Sequence, residues 1–312
     1  MNDACYASSV DKIFGTVGPY VCKYNATTGA REGFVRVASP LYGDIRICYH
    51  AANDTLYVAT WNEPNQQWYK VGGAYLPTFP CRDVFPVSTG LVVGAGLDLK
   101  TFYFIEPPYN GFGWIASQGS YLYIAQVSTN GFSFQIKRLD PTNLADRANG
   151  SNADFAIQHA GMSPTEIVNP ISGFSSAFRY APILSDAFNW SGTLSIAPYN
   201  PIAAVYCAQN TLFYMVCGDT NLLRINVLSP INFTPLNLGA VEAAADPCRI
   251  RYRASDQKLY LPCMTSNTVI VWDPATETGI AKTGFDNPCD VVFTNSKAFA
   301  VQNSPIGLKE II

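Results

Sequence analysis

The sequence predicts an all-β fold, a single seven-bladed β-propeller with six blades as the alternative. Three observations predict it. A loose repeat recurs about seven times along the 312 residues, and repeats of about 20–50 residues mark solenoids, propellers or arrays. Within a copy, short runs rich in Val, Ile, Tyr and Phe alternate with polar turns, four runs to a copy. Helical periodicity is absent throughout.

The clearest copy spans residues 247–279. It reads as a Pro start, a strand, a polar turn, a second strand through Leu259 to Leu261, an Asn-bearing turn at Asn267, a third strand ending at Trp272, and a turn into a fourth. Pro is tolerated there because it falls at the first residue of a strand. Other copies lie at 44–58, 80–93, 112–124, 164–174, 201–216 and 288–301. Blade starts are expected near Pro40, Pro80, Pro108, Pro164, Pro201, Pro247 and Pro288, between 28 and 56 residues apart. Turn chemistry at Asn25 to Gly29, Asp140 to Asn143 and Asp273 to Gly279 supports hairpins.

Residues 12–37 read as strands, with 12–29 matching 258–279 of the best copy and so supplying outer strands, and the stretch from Pro288 supplies inner strands without a fourth. The reading is a ring closed by joining N- and C-terminal strands in one blade, which removes exposed edges and brings the termini together. One β-propeller domain is expected over 1–312, with an irregular excursion around 145–161 as a candidate contact site.

Composition narrows the function classes. The chain is 48% hydrophobic, enough for a sizeable core, and only 14% charged, against a typical quarter. Its surface is therefore covered by Asn, Ser, Thr, Gly and Tyr, which suits a protein held in an assembly or one that contacts sugars. The net charge is −3 and no basic stripe is present, so nucleic acid is not an expected partner. No apolar run reaches membrane-spanning length, and no basic, then apolar, leader opens the chain. Nine scattered cysteines, an odd number without a CxxC pair, read as free buried thiols of a reducing compartment. The recurrent Pro-Cys at Cys81, Cys248 and Cys289 reads as a small apolar filler used at the same place in each blade.

Chemistry-bearing candidates are few. His50 and His159 are the only histidines, and neither has partners at catalytic spacing. No nucleophile elbow, phosphate loop or zinc-protease motif occurs, so the catalytic set is expected to be empty. Charges at the inner-strand starts (Asp44, Arg46, Arg82, Asp83, Glu166, Arg249, Asp290) would ring one mouth of the channel. Asp44, Glu166 and Asp290 are the metal candidates, for Ca²⁺, which prefers oxygen ligands. The competing reading is a set of Asp–Arg pairs and capped turns, with Arg82/Asp83 and Arg249/Asp290 as the pairs. The binding-face candidates are Trp61, Asn62, Asn130, Trp190, Asn221, Asn267 and Asn303. Amides beside aromatics suit sugar hydroxyls or a polar protein surface, although Asn also favours turns because it tolerates left-handed backbone. Trp190 is expected to be exposed, and Trp272 to pack between blades. Five N-x-S/T sequons (Asn25, Asn53, Asn149, Asn189, Asn232) read as chance matches.

The pattern Pro-x-x-Ile, Leu-Tyr-Val, Asn-x-Val-x-Val-Trp-Asp-Pro-x-Thr resembles the YVTN/NHL-like class of β-propeller repeats, with its best match over residues 246–300. The resemblance implies a rigid platform for interactions. It also implies a runner-up, a lactonase-like propeller hydrolase with a metal at the channel mouth. Similarity to WD40 repeats is poorer, since Trp272-Asp273 lacks a Gly-His partner. Low charge, abundant small polar residues and free thiols look like a bacteriophage structural protein. The expected function is therefore a non-catalytic structural or interaction module, a virion component such as a tail, fibre or capsid-associated protein. Its partners would be other proteins of the assembly or glycans. A cytoplasmic scaffold is the remaining alternative.

Overall fold

The computed structural model describes residues 3–36, 45–60, 84–86, 109–128, 134–141, 146–152, 159–171, 176–183 and 188–312, apart from single positions 19, 189, 191, 192, 219, 229 and 304. The described residues are almost all strand and turn, with one-turn 3₁₀ helices at Ala51–Asn53 and Leu238–Ala240.

The first sheet is formed by Ala4–Ala7, Lys12–Val17, Tyr20–Asn25 and Arg31–Arg36 (β1–β4). The second holds Ile45–His50, Thr55–Thr60 and Val84–Pro86 (β5–β7). Tyr109–Gln118, Tyr121–Ser128, Phe134–Leu139 and Asp146–Asn152 (β8–β11) form the third. Gly161–Met162, Glu166–Ile171, Ala177–Pro182 and Leu194–Ser195 (β12–β15) form the fourth. Then come Pro201–Cys207, Leu212–Cys217, Asn221–Asn226 and Asn232–Asn237 (β16–β19), and Arg251–Arg253, Lys258–Cys263, Thr268–Asp273 and Thr278–Lys282 (β20–β23). Pro288–Phe293, Ala298–Asn303 and Ile306–Glu310 (β24–β26) end the chain. Each sheet is a meander in which neighbours in sequence are neighbours in space, the arrangement that short hairpin turns dictate.

Local chemistry explains the hairpins. At the turn after the first strand, one residue takes a left-handed backbone: Asp11, Asp54, Thr211 and Gln257 have φ of 50°, 50°, 61° and 58°. In three sheets an Asx residue just before that position bonds a tyrosine four residues on. Asn53 Nδ2 donates to Tyr57 Oη at 2.6 Å, Asn210 Nδ2 to Tyr214 Oη at 2.8 Å, and Tyr260 Oη to Asp256 Oδ2 at 2.6 Å. In the first sheet Val10 and Phe14 stand at these two places, so both polar partners are replaced together. The later turns follow Asx chemistry as well: Asn25 Oδ1 accepts from the N–H of Thr27 and Thr28 at 2.9 and 3.0 Å, and Asp273 Oδ1 from that of Ala275 at 2.8 Å.

The described chain divides into two compact units, Met1–Asp154 with Val292–Lys297 and Ile306–Leu308, and Phe155–Val291 with Ala298–Pro305 and Lys309–Ile312. In the second unit, consecutive sheets share apolar cores. Val168, Phe178 and Ile196 pack with Phe213, Met215 and Cys217. Tyr214 and Val216, on the other face of the same strand, pack with Leu259, Leu261, Cys263 and Trp272. Each such aliphatic side chain contributes roughly 1.5–3 kcal/mol on burial. Trp272 thus packs between sheets, as expected. Gly161 permits a close approach, since a Cβ there would meet the Val205 nitrogen at 3.0 Å.

Three expectations are corrected. The N-terminal strands do not share a sheet with the C-terminal ones: Ala4–Ala7 supplies the first strand of the first sheet, and β24–β26 form a sheet of their own. That four-residue strand is too short to stand out in sequence. Pro80 lies outside the described residues, and Val84–Pro86 forms the third strand of its sheet, with Thr55 opposite Pro86. Pro164 lies in the turn before a second strand, and the first strand of that sheet is the two-residue Gly161–Met162. The stretch around 145–161 is in part regular: Asp146–Asn152 pairs with Phe134–Leu139 along its length. It is an outermost, polar strand, so it lacks the alternation that burial imposes.

Candidate functional site

The turn Met264–Asn267 and the segment Asp286–Asn287 form an open polar pocket in the second unit. Leu259 to Cys263 pair in register with Trp272 to Thr268, which brings the hairpin end to this turn. Asn267 has φ 56° and Asn287 φ 54°, so each amide residue sits where a left-handed backbone is needed. The Asn287 N–H donates to Asn267 Oδ1 at 2.8 Å. Asp246 fixes the near side: its Oδ1 accepts from the Thr265 N–H at 3.2 Å and its Oδ2 from the Thr265 hydroxyl. Gln302 Nε2 donates to the Asp286 carbonyl at 3.3 Å, which holds the far side. Between them lies an open pocket of about 420 Å³ lined by Met264, Thr265, Asn267, Asp286 and Asn287. It offers a carboxylate, two amides and a hydroxyl on a firmly held backbone. That set recognises hydroxyl and amide groups rather than apolar ones.

Of the binding-face candidates, Asn267 lines this pocket. Asn303 reaches its rim through the backbone, its N–H donating to the Asn287 carbonyl at 3.3 Å. Asn221 opens the third strand of a different sheet. Trp190 is half-buried and stacks on Phe188, with ring centroids 6.0 Å apart and planes 27° apart, so it does not project as expected. Trp61, Asn62 and Asn130 lie outside the described residues. Sequence reading passed over Asp286 and Asn287. The available signal was the Asx-Pro step before an inner strand, present both at Asp246-Pro247 and at Asn287-Pro288.

Of the metal candidates, Glu166 and Asp290 lie among the described residues, and each is engaged by its own neighbours. Asp290 is fully buried, and its oxygens accept from Arg251 Nε at 2.8 Å, Arg251 Nη2 at 2.6 Å and the Val291 N–H at 2.8 Å. Asp290 is thus taken up in an Asp–Arg pair with Arg251, the first residue of β20, where the sequence suggested Arg249. Asp3 likewise accepts from the N–H that follows it, Ala4, and, across to β5, from the Ile47 N–H, both at 3.1 Å. Glu166 is drawn into its own turn, accepting from the Ser163 hydroxyl at 2.9 Å and from the Thr165 hydroxyl. Arg46 is half-buried on β5, and Asp44, Arg82 and Asp83 lie outside the described residues. Among the described residues, no three His, Cys, Asp or Glu side chains gather as a metal-ligating group.

Among the described cysteines none forms a disulfide. Cys248 Sγ contacts the carbonyls of Pro262 on β21 at 3.4 Å and Cys289 on β24 at 3.4 Å. Burial pushes the thiols of Cys48 and Cys248 far up, and those of Cys263 and Cys289 to about 12 and about 11. Thiols so raised are packing groups rather than nucleophiles. His50 is buried, with Nδ1 3.0 Å from Asn53 Oδ1. His159 serves through its carbonyl, which accepts from the Ala204 N–H at 2.8 Å.

Comparison with known proteins adds the fold. No protein-family model and no curated protein matches the sequence. Among solved structures, one similar chain is from Kuenenia stuttgartiensis hydrazine synthase, at TM-score 0.72 and 12% identity, covering 99% of this chain and 94% of that one. A chain from a mitotic checkpoint complex matches at TM-score 0.70 and 9% identity, covering 100% of this chain and 90% of that one. The fold is a β-propeller. At such identities the likeness concerns architecture alone. Among the described residues no helix is long and apolar enough to cross a membrane.

Proposed function

We propose that this β-propeller is a non-catalytic interaction module, one domain over 1–312, that receives a polar segment of a protein partner at the Met264–Asn287 pocket. The observation that carries this reading is the pocket itself. Asn267, Asp286 and Asn287 line it on a backbone pinned by Asp246 and Gln302, while Asp290 and Glu166 are taken up in holding strands and turns. A pre-held polar rim is what a partner's backbone and hydroxyl groups recognise at low ordering cost. The solved neighbour from a checkpoint complex belongs to a protein assembly by its title, in keeping with a propeller used as a platform.

Three finer readings accompany it. The recurrence of the Asx–Tyr bond at Tyr57, Tyr214 and Tyr260 is in keeping with the YVTN/NHL-like repeat, and the seven sheets among the described residues are in keeping with seven blades. The low charged fraction of 14% supports a place in a virion. The test is purification of the native particle or complex, with mass spectrometry for this chain, beside the variant Asp286→Ala with Asn267→Gly. Fixed stoichiometry in an assembly, weakened by the double variant, is the expected result. A free monomer, or an assembly indifferent to the variant, would overturn the reading, and binding to a glycan array instead would replace the protein partner with a sugar.

A further inference from the structure

Asn169 is the fourth residue of β13 (Glu166–Ile171), whose burial runs from half-buried at Glu166 to buried at every later position. The second strands of the next two sheets, Leu212–Cys217 and Lys258–Cys263, show the same sequence of burial. Their fourth residues are Met215 and Leu261. The register agrees, since Asn169, Met215 and Leu261 each face a third-strand residue, Arg179, Leu223 and Ile270 respectively. Met215 and Leu261 each lie in an apolar core shared by consecutive sheets. In the earlier sheets the matching places hold Gly15, Val58 and Ile124. One copy of the repeat thus carries an amide where the others carry an apolar side chain or glycine.

That amide is 0% exposed, and neither Asn169 Oδ1 nor Nδ2 meets a hydrogen-bond partner within the protein. A buried amide left with both ends unpaired is strongly disfavoured, and native proteins satisfy such groups with internal water. Alternation along the strand puts Asn169 on one face with Ile167 and Ile171, both fully buried, so the amide is the polar group of that face.

We infer that Asn169 builds an internal water site in the fourth sheet, its Oδ1 accepting from and its Nδ2 donating to one long-lived water molecule. The site is independent of the pocket at Asn267 and of any partner. Buried waters of this kind make about three hydrogen bonds and exchange slowly, so they are countable in solution.

The test is magnetic relaxation dispersion of water oxygen-17 on the full chain, comparing wild type with Asn169→Leu and with Asn169→Met, the side chain of the next sheet. Two variants guard against one failing to fold, which circular dichroism checks. Loss of one long-lived water in a folded variant is expected, together with a water within about 3 Å of both amide atoms in a crystal of the wild type. An unchanged count, or a protein atom in that position, would overturn the site. So would a variant that melts higher than wild type at unchanged water count, because the amide would then be an uncompensated burden.

Discussion

Arg251 holds Asp290 with two parallel hydrogen bonds, Nε to Oδ1 at 2.8 Å and Nη2 to Oδ2 at 2.6 Å. The carboxylate is wholly buried while the guanidinium is one-third exposed, so the pair links β20 to β24 with its charge screened on one side only. Forked geometry of this kind is the strong form of an ion pair. Replacing Arg251 by Met strands a buried carboxylate, a change that costs about 3 kcal/mol when a partner is removed. Urea unfolding of Arg251→Met should show a midpoint well below wild type, and Asp290→Asn a smaller loss. Equal stability of Arg251→Met and wild type would show that the pair is dispensable.

The Asx–Tyr bonds make a second prediction. Tyr214→Phe and Tyr260→Phe each remove one hydroxyl and leave the ring in place, so each should lower stability by about 1 kcal/mol. In a sheet whose first turn is the two-residue Gly119-Ser120, Tyr123 has Arg138 as its side-chain partner, so Tyr123→Phe compares the two kinds of partner. Thermal melts of the three variants, side by side, check the difference.

Alkaline pH should unfold the protein through its tyrosines. Burial is the first cause that pushes Tyr57, Tyr123 and Tyr260 up to about 12, against about 10 in an unfolded chain. A pKa raised in the folded state means that the native form keeps its proton longer. The stability is whole below pH ~10 and falls as pH climbs toward 12. Circular dichroism should be lost over that window together with the last part of the rise in phenolate absorbance. Ionisation of all 18 tyrosines near pH 10 with the fold intact would contradict it.

The thiols predict slow chemistry. Burial raises Cys263 to about 12 and Cys289 to about 11, and Cys48 and Cys248 further still. At about pH 8 their thiolate fraction is very small. Ellman's reagent should therefore label these four only after denaturant is added, while half-buried Cys5 reacts ahead of them. Rapid native labelling of Cys248, located by peptide mapping, would refute the packing role.

Much of the architecture was legible because the repeat is physical. Leu259, Tyr260 and Leu261 announce a buried second strand, and Asp273 with Gly279 announces its outer turn, wherever they recur. The missed strands have equally physical causes. Gly161–Met162 and Ala4–Ala7 are strands of two and four residues, too short for any pattern. Asp146–Asn152 is the edge strand of its sheet and its sequence carries no alternation. At the site, Asn267 was legible as a turn amide. Asp286 was not, because it meets that turn only after the chain has passed through two more strands.

The Asx–Tyr bond lies inside a single hairpin, spanning four residues in each of three sheets. Each of these three copies therefore carries a fastening of its own. Under duplication or deletion of a copy, the turn chemistry travels with the segment that needs it. A gene for such a chain can lengthen or shorten by whole units, and drift in the intervening loops, while every surviving hairpin keeps its means of closing.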